Sequence, residues 1–239
     1  MSTVAETENI AKDDRPKTAQ ETKEKESEKS ANVFQGRKFD WWGDSGSMRG
    51  LRNMNEIRVP FVRDTLLDGK KPDSEEKPLT GFSIIDVGCG GGLMCEPLAE
   101  LGAQVTGIDV SKESVNAAEE HLKTNSVSLE SNLKYIHSSV EEFVNQPDAP
   151  LFDVAIASEV AEHVENLEAF IKGCVKLVKP HGYFFITTIN RTFAAYLRYI
   201  LLDEKLLRVL PSGTHPYKML VPPARLKQIL QESKLLLSP

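Results

Sequence analysis

The sequence predicts an α/β fold in which helices cover both faces of a doubly wound, mostly parallel sheet. Short β-branched apolar runs alternate with stretches whose apolar residues recur at helical spacing, a pattern typical of such sheets. A glycine-rich segment follows the first run, and an acid follows the second. The 239 residues suffice for one domain of medium size with appended segments.

Five apolar runs are the candidate strands, in chain order 82–87, 104–108, 133–137, 152–157 and 183–188. Ser111 is the predicted N-cap of a helix between the second and third runs. Asn166 is the predicted N-cap of another helix, which continues to Val178 and ends at residues 180–182. Strands and helices therefore alternate through most of the chain after residue 81.

The first 32 residues are predicted to form a disordered tail, because acids and bases alternate there and large apolar residues are few. The ordered domain is expected to cover residues 33–239. The tail lacks the apolar stretch of a secretory signal, and its many acids argue against a mitochondrial transit peptide.

Charge and cysteine content exclude several function classes. The net charge of -6 provides no basic field for phosphate backbones, so no nucleic acid partner is expected. Cys89, Cys95 and Cys174 include no CxxC pair, so the sequence predicts neither a disulfide framework nor a zinc site. A reducing compartment is the expected environment.

The glycine-rich segment runs from Asp86 to Gly92 and reads DVGCGGG. Leu93 stands where a dinucleotide fingerprint counted from Gly88 requires its third glycine, so a pyrophosphate is not the expected ligand. We expect Gly88 and Gly90 to let a ligand approach the backbone and to point free N–H groups at it.

An acid at the tip of the second strand indicates which nucleoside the glycine segment binds. Asp109 stands 21 residues after Gly88, the right distance for a carboxylate that binds both ribose hydroxyls. S-adenosylmethionine fits these demands, since its sulfonium tolerates acidic surroundings. The alternative interpretation is a structural glycine turn without a ligand.

A second polar segment, residues 158–163, follows the fourth predicted strand and should open at the same sheet edge. In a helical turn, Glu159, Glu162 and His163 would project from one face, where two carboxylates and an imidazole could hold a divalent ion such as Mg²⁺. The alternative is that the acids favour a helix N-terminus and that His163 is a half-buried structural side chain. Spacing alone leaves both open.

The sequence resembles the ubiquinone-biosynthesis O-methyltransferases, which are class I S-adenosylmethionine enzymes. The motifs that match are FDWW at 39–42, NMNEIR at 53–58, DVGCGGG at 86–92, the GIDVS stretch around Asp109, SEVAEHV at 158–164, TTINRT at 187–192 and PSGTH at 211–215. The resemblance implies a class I methyltransferase sheet of seven strands. Only five are visible before Pro239, so the domain is expected to lack the last two.

The resemblance implies O-methylation of a ring hydroxyl on polyprenylated catechol-type intermediates, either a dihydroxybenzoate or a demethylubiquinol. It implies further that Arg58, Gly88, Asp109 and Ser158 contact the cofactor. It also implies that Mg²⁺ binds at Glu159, Glu162 and His163, and that other quinone-biosynthesis proteins are partners. A catalytically impaired form that serves as a cofactor-binding or scaffolding partner, and methylation of a small soluble phenol, are the alternative functions.

The chemistry requires a way to ionise the acceptor. A phenol has a pKa near 10, so reaching the anion at pH 7 costs roughly 4 kcal/mol. A metal that chelates adjacent catechol oxygens would lower that cost. Without a metal, His163 is the expected general base. We expect Glu162 to support turnover rather than cofactor affinity.

Two aromatic or apolar segments allow more than one interpretation. Residues 193–210 form either a lid on the sheet or an interfacial helix in peripheral contact with a membrane. Trp41 and Trp42 either close the cofactor pocket or anchor the first helix to the core. The resemblance indicates the matrix face of the mitochondrial inner membrane as the location, or the cytoplasm for a bacterial protein.

Overall fold

The computed structural model describes residues 39–43, 48–188 and 221–232. Within them, all strands lie in one parallel sheet of order β3-β2-β1-β4-β5. The strands are β1 Ser83–Val87, β2 Gln104–Asp109, β3 Leu133–His137, β4 Phe152–Ser158 and β5 Val178–Thr187. The helices are α1 Arg49–Leu67, α2 Cys95–Glu100, α3 Lys112–Asn125, α4 Val140–Val144, α5 Leu167–Lys176 and α6 Pro223–Glu232. The α/β prediction is confirmed.

Helices cover both faces of the sheet, which explains why its strands read as continuous apolar runs. Ile84 faces a core built with α1, α2 and α3, whereas Ile85 faces a core built with α4, α5 and α6. Both side chains are fully buried. The side-chain alternation of β1 therefore supplies both halves of the core.

Both predicted helix caps are confirmed. Ser111 Oγ accepts a hydrogen bond from the Ser114 N–H at 3.2 Å, and Asn166 Oδ1 accepts one from the Ala169 N–H at 3.0 Å. Each cap satisfies a backbone donor of the first turn. Among the helices of residues 48–188 and 221–232, none has the length and hydropathy needed to cross a membrane.

The boundary predicted between helix α5 and strand β5 was wrong. Helix α5 ends at Lys176, and Val178 already pairs with Phe152 in the sheet. Residues 179–182 form a bulge opposite Asp153, where Lys179 Nζ lies 3.0 Å from Asp153 Oδ1. Proline and glycine are tolerated there because a bulge interrupts the ladder of hydrogen bonds.

Strand order reverses between β1 and β4, so the carboxyl ends of β1, β2 and β4 border one crevice. That crevice positions the glycine segment, Asp109 and residues 158–163 together. The predicted tail (1–32), the segment 193–210 and the loop 211–215 lie outside the described residues.

Candidate functional site

The loop after β1 has the left-handed backbone that only glycine adopts without strain. The φ angles are +79° at Gly88, +54° at Gly90 and +83° at Gly92. The N–H groups of Gly88 and Cys89 donate to the Ile108 carbonyl at 2.8 and 3.0 Å. The Gly90 N–H donates to Asp109 Oδ2 at 2.8 Å. Because these donors serve the protein itself, the expectation that Gly88 and Gly90 point free N–H groups at the ligand was wrong.

Asp109 lies at the end of β2 and is held by two backbone donors. Oδ2 accepts from the Gly90 N–H at 2.8 Å, and Oδ1 accepts from the Ser111 N–H at 2.7 Å. Burial raises the pKa of this carboxyl, although both hydrogen bonds oppose the rise. Each oxygen keeps a second lone pair, so Asp109 can still accept from two further hydroxyl groups.

Arg58 reaches from α1 across the crevice to the end of β4. One guanidinium nitrogen donates to Ser158 Oγ at 2.7 Å, and another donates to the Leu51 carbonyl at 2.6 Å and to Asn55 Oδ1 at 2.5 Å. Its Nε atom is buried and has no hydrogen-bond partner among the described residues. A buried donor without a partner is costly, so this N–H is available for an anionic ligand group.

The Arg58 guanidinium is also surrounded by acids. Burial lowers its pKa, whereas the charges of Glu159 and Asp86 raise it. The Asp86 carboxyl is itself buried, and burial raises its pKa to about 6 although the Cys95 thiol donates to it at 3.2 Å. The crevice thus places the Arg58 guanidinium near the acids Glu159 and Asp86 in partly buried surroundings.

The segment after β4 does not form the helical turn in which the three side chains would project from one face. Glu159 has φ +58°, in the left-handed region, and only one turn follows, where the His163 N–H donates to the Val160 carbonyl at 2.8 Å. A single left-handed residue rotates the chain, so i, i+3 and i+4 spacing no longer aligns the side chains. Glu162 is buried, and its Oε2 accepts from Thr188 Oγ1 at 2.8 Å.

The predicted metal site is not assembled. In residues 39–43, 48–188 and 221–232, no group of three or more His, Cys, Asp or Glu side chains is arranged to hold a metal ion. Glu159, Glu162 and His163 lie in one segment but do not form a ligand set. The prediction that they converge on Mg²⁺ is therefore not supported, for the backbone reason just given.

Sequence reasoning missed two contacts at the site and the burial of one carboxyl group. Thr187 on β5 lies 2.7 Å from Ser158, oxygen to oxygen, because the two strands pair there in register. Asn55 accepts a hydrogen bond from Arg58 and orients it. The two residues stand three positions apart on a helix, and this spacing could have predicted their contact. The Asp86 carboxyl was visible in the glycine motif, but its burial was not.

Trp41 and Trp42 both contact the glycine loop. Trp42 Nε1 donates to the Gly91 carbonyl at 3.1 Å. The Trp41 ring lies so close to Gly90 and Gly91 that a Cβ atom on either would overlap it. An open cleft of about 460 Å³ lies beside Trp42, between α1 and α2, and no predicted site residue lines it.

Comparison with known proteins identifies the family. A methyltransferase-domain family model matches residues 85–186. The chain is 39% identical over 204 residues to the ubiquinone biosynthesis O-methyltransferase of Rhizobium leguminosarum. The matched stretch covers 84% of this chain and 78% of that protein. The chain belongs to the ubiquinone biosynthesis O-methyltransferase family. The resemblance seen in the motifs is thereby confirmed.

Mammalian members of this family are longer. The rat ubiquinone biosynthesis O-methyltransferase, named mitochondrial, is 42% identical over 207 residues, or 87% of this chain and 59% of the rat protein. The human protein of the same name is 43% identical over 195 residues, or 82% of this chain and 52% of the human protein. The chain thus spans little more than half the length of these relatives.

Solved structures confirm the fold of the family. Magnesium protoporphyrin IX methyltransferase from Synechocystis, solved with bound SAH, matches with a TM-score of 0.62 at 20% identity, covering 90% of this chain and 91% of that one. The plantazolicin methyltransferase in complex with SAH matches with a TM-score of 0.55 at 22% identity, covering 89% and 77%. Both share the class I methyltransferase architecture with this chain.

Proposed function

We propose that the chain binds S-adenosylmethionine in the crevice at the ends of β1, β2 and β4 and transfers its methyl group to a ring hydroxyl. The observation that carries this proposal is the Asp109 carboxylate, held by the Gly90 and Ser111 N–H groups with lone pairs to spare. The family membership supports the same activity.

Each end of the cofactor has a suitable partner in the crevice. Asp109 would accept from the two ribose hydroxyls. The buried Nε–H of Arg58 would donate to the carboxylate of the amino-acid end. Gly88 and Gly90 would border the cofactor through their left-handed backbone, because Val160 packs on Gly88 and Trp41 packs on Gly90 where side chains would stand. Ser158, which already contacts Arg58, would border the cofactor.

Methyl transfer then requires a base for the acceptor. His163 would take the proton of the ring hydroxyl as the oxygen attacks the sulfonium methyl in line. The O–CH₃ bond forms, the S–CH₃ bond breaks, and neutral S-adenosylhomocysteine leaves. Glu162 is buried and directly precedes His163 in the chain, and its carboxylate would stabilise the imidazolium that results. We propose no step through Mg²⁺, because the residues predicted to hold it are not assembled as ligands.

The proposed acceptor is a polyprenylated dihydroxybenzoate or demethylubiquinol, the acceptors that the motif resemblance implies, and the relatives are named for O-methylation in ubiquinone biosynthesis. Quinone-biosynthesis proteins are proposed partners. A mitochondrial location is proposed from the mammalian relatives named mitochondrial. The matrix side of the inner membrane, with peripheral membrane contact, is proposed from the motif resemblance. A cytoplasmic location is the counterpart proposal from the bacterial relatives.

Calorimetry and a labelled-methyl assay test the proposed function together. S-adenosylhomocysteine should bind the unsubstituted chain, and Asp109→Asn should weaken binding at least about tenfold, since an amide N–H₂ would face a backbone donor. Asp148→Asn, at an exposed acid before β4, is the matched control and should bind normally.

The second half of the experiment measures methyl transfer from labelled S-adenosylmethionine to a short-tailed dihydroxybenzoate, with and without EDTA. Transfer that survives EDTA supports the base mechanism. Loss of transfer on chelation would overturn it in favour of metal. Binding without any transfer would support the scaffolding alternative, and full affinity in Asp109→Asn would remove the cofactor assignment.

A further inference from the structure

A stacked pair links helix α3 to the tryptophan segment. The rings of His121 and Trp42 lie parallel, with centroids 3.7 Å apart and an interplanar angle of 4°. His121 Nδ1 lies 2.8 Å from Glu96 Oε1 on α2. The second oxygen of the buried Glu96 carboxylate accepts from Ser126 Oγ at 2.6 Å. The His121 ring is therefore held in one orientation by its stack on Trp42 and by its contact with Glu96 on α2.

The tryptophan segment in turn contacts the glycine loop at successive residues. Trp42 donates to the Gly91 carbonyl, and Trp41 packs on Gly90 and Gly91 at a distance that only glycine permits. The Trp42 carbonyl accepts a hydrogen bond from Arg52 on α1. Because the Gly90 N–H donates to Asp109, the position of this loop also sets the position of the ribose-binding acid.

We propose that His121 is a positioning residue for cofactor binding: its ring stacks on Trp42, and through Trp42 it keeps the glycine loop and Asp109 in their binding geometry. This inference rests on the proposed function, because its readout is affinity for the cofactor. His121 does not touch the cofactor in this scheme. It acts through the stack, and stacked aromatic pairs contribute measurably beyond their buried area.

The chain offers a direct optical readout, since Trp41 and Trp42 are its only tryptophans. Tryptophan fluorescence, excited selectively over the tyrosines, therefore reports on this segment alone. His121→Ala removes the stack and the Glu96 contact. His121→Phe keeps an aromatic face and removes only the contact with Glu96. Lys123→Ala changes an exposed residue of the same helix and is the matched control.

The measurements are acrylamide quenching without ligand, S-adenosylhomocysteine affinity by calorimetry, and thermal unfolding. His121→Ala should increase quenching and weaken binding at least about fivefold. His121→Phe should restore both to within about twofold of the unsubstituted chain, and Lys123→Ala should change neither. If His121→Ala does not fold, the comparison between His121→Phe and Trp42→Ala, which removes the stack from the other side, replaces it.

Two results would overturn the inference. One is S-adenosylhomocysteine affinity within twofold of normal when quenching shows that the tryptophans have been released. The other is failure of His121→Phe to restore affinity while its unfolding temperature is normal. Absence of binding by the unsubstituted chain would instead contradict the proposed function, whereas the quenching comparison, which needs no ligand, still decides whether His121 holds the tryptophans.

Discussion

The glycine loop with Asp109 and the segment after β4 border the same crevice but are built differently. In the first region, neighbouring parallel strands fix where Gly88 and Asp109 lie, and backbone donors hold the acid. In the second, one left-handed residue, Glu159, redirects the chain before Glu162. The two regions meet where Val160 packs on Gly88. The spacing of residues in the sequence therefore predicts which side chains meet where paired strands fix their positions. It does not predict this where a single dihedral angle sets the direction of the chain.

The largest expected effect is the loss of stability when a glycine of the loop after β1 is replaced. Gly92→Ala should lower the free energy of unfolding by about 3 kcal/mol, because a left-handed alanine is strained and its Cβ would overlap the buried Tyr135 ring. Gly69→Ala, at φ +72° with open space around it, should cost only about 1 kcal/mol. Urea unfolding measures both. Equal losses would show that the loop tolerates a side chain.

The next effect is the pH dependence contributed by Asp86. Burial raises its pKa to about 6 in the fold from the ordinary 3.8 of an aspartate, so the folded state binds more protons between those two pH values. Stability from this group is therefore lost as pH rises from about 4 to 6, by up to about 3 kcal/mol. Asp86→Asn should remove this dependence when unfolding is measured at pH 4 and pH 7.

Asp153→Asn is the control of opposite sign. Burial raises the pKa of Asp153, but hydrogen bonds from Ser83 and Lys179 outweigh burial and lower it overall. The stability that this group contributes is lost as pH falls, so its asparagine variant should flatten the acid side of the profile. An unchanged profile in Asp86→Asn would contradict the inferred burial of the Asp86 charge.

The segment after β4 is tested by Glu162→Gln. Because glutamine still accepts from Thr188, unfolding should change by less than about 1 kcal/mol. Turnover in the labelled-methyl assay should fall about 100-fold while S-adenosylhomocysteine affinity stays within twofold. Glu165→Gln, at an exposed acid three residues on, should leave both unchanged. A parallel loss of affinity and turnover would place Glu162 with the cofactor instead.

The smallest effect isolates the backbone of Glu159. Glu159→Gln removes the charge near Arg58 but keeps the left-handed strain, whereas Glu159→Gly removes both. The glycine variant should be more stable than the glutamine variant by roughly 0.5 kcal/mol, the relief of strain less the entropy that glycine adds to the unfolded chain. Thermal unfolding of the pair provides the comparison. A less stable glycine variant would show that the turn is not strained.

Much of the fold was predictable because local patterns report directly on burial. The apolar runs predicted each of the five strands found in the described part of the chain, and Ser111 and Asn166 marked two helix starts through their capping oxygens. The end of α5 was not predictable, because Pro180 and Gly182 suit a helix stop and a strand bulge equally. Pairing of Val178 with Phe152 in the sheet favours the strand with a bulge over a longer helix.

Residue type and spacing were enough to predict the glycine loop and the acid of β2, because parallel strands end side by side, and the motifs were enough to predict the family. Tertiary structure alone decided that Glu159, Glu162 and His163 do not assemble as metal ligands. It alone brought Arg58 to Ser158 and His121 to Trp42, contacts that join residues 100 and 79 positions apart. Such contacts depend on how helices pack on the sheet, which no local pattern encodes.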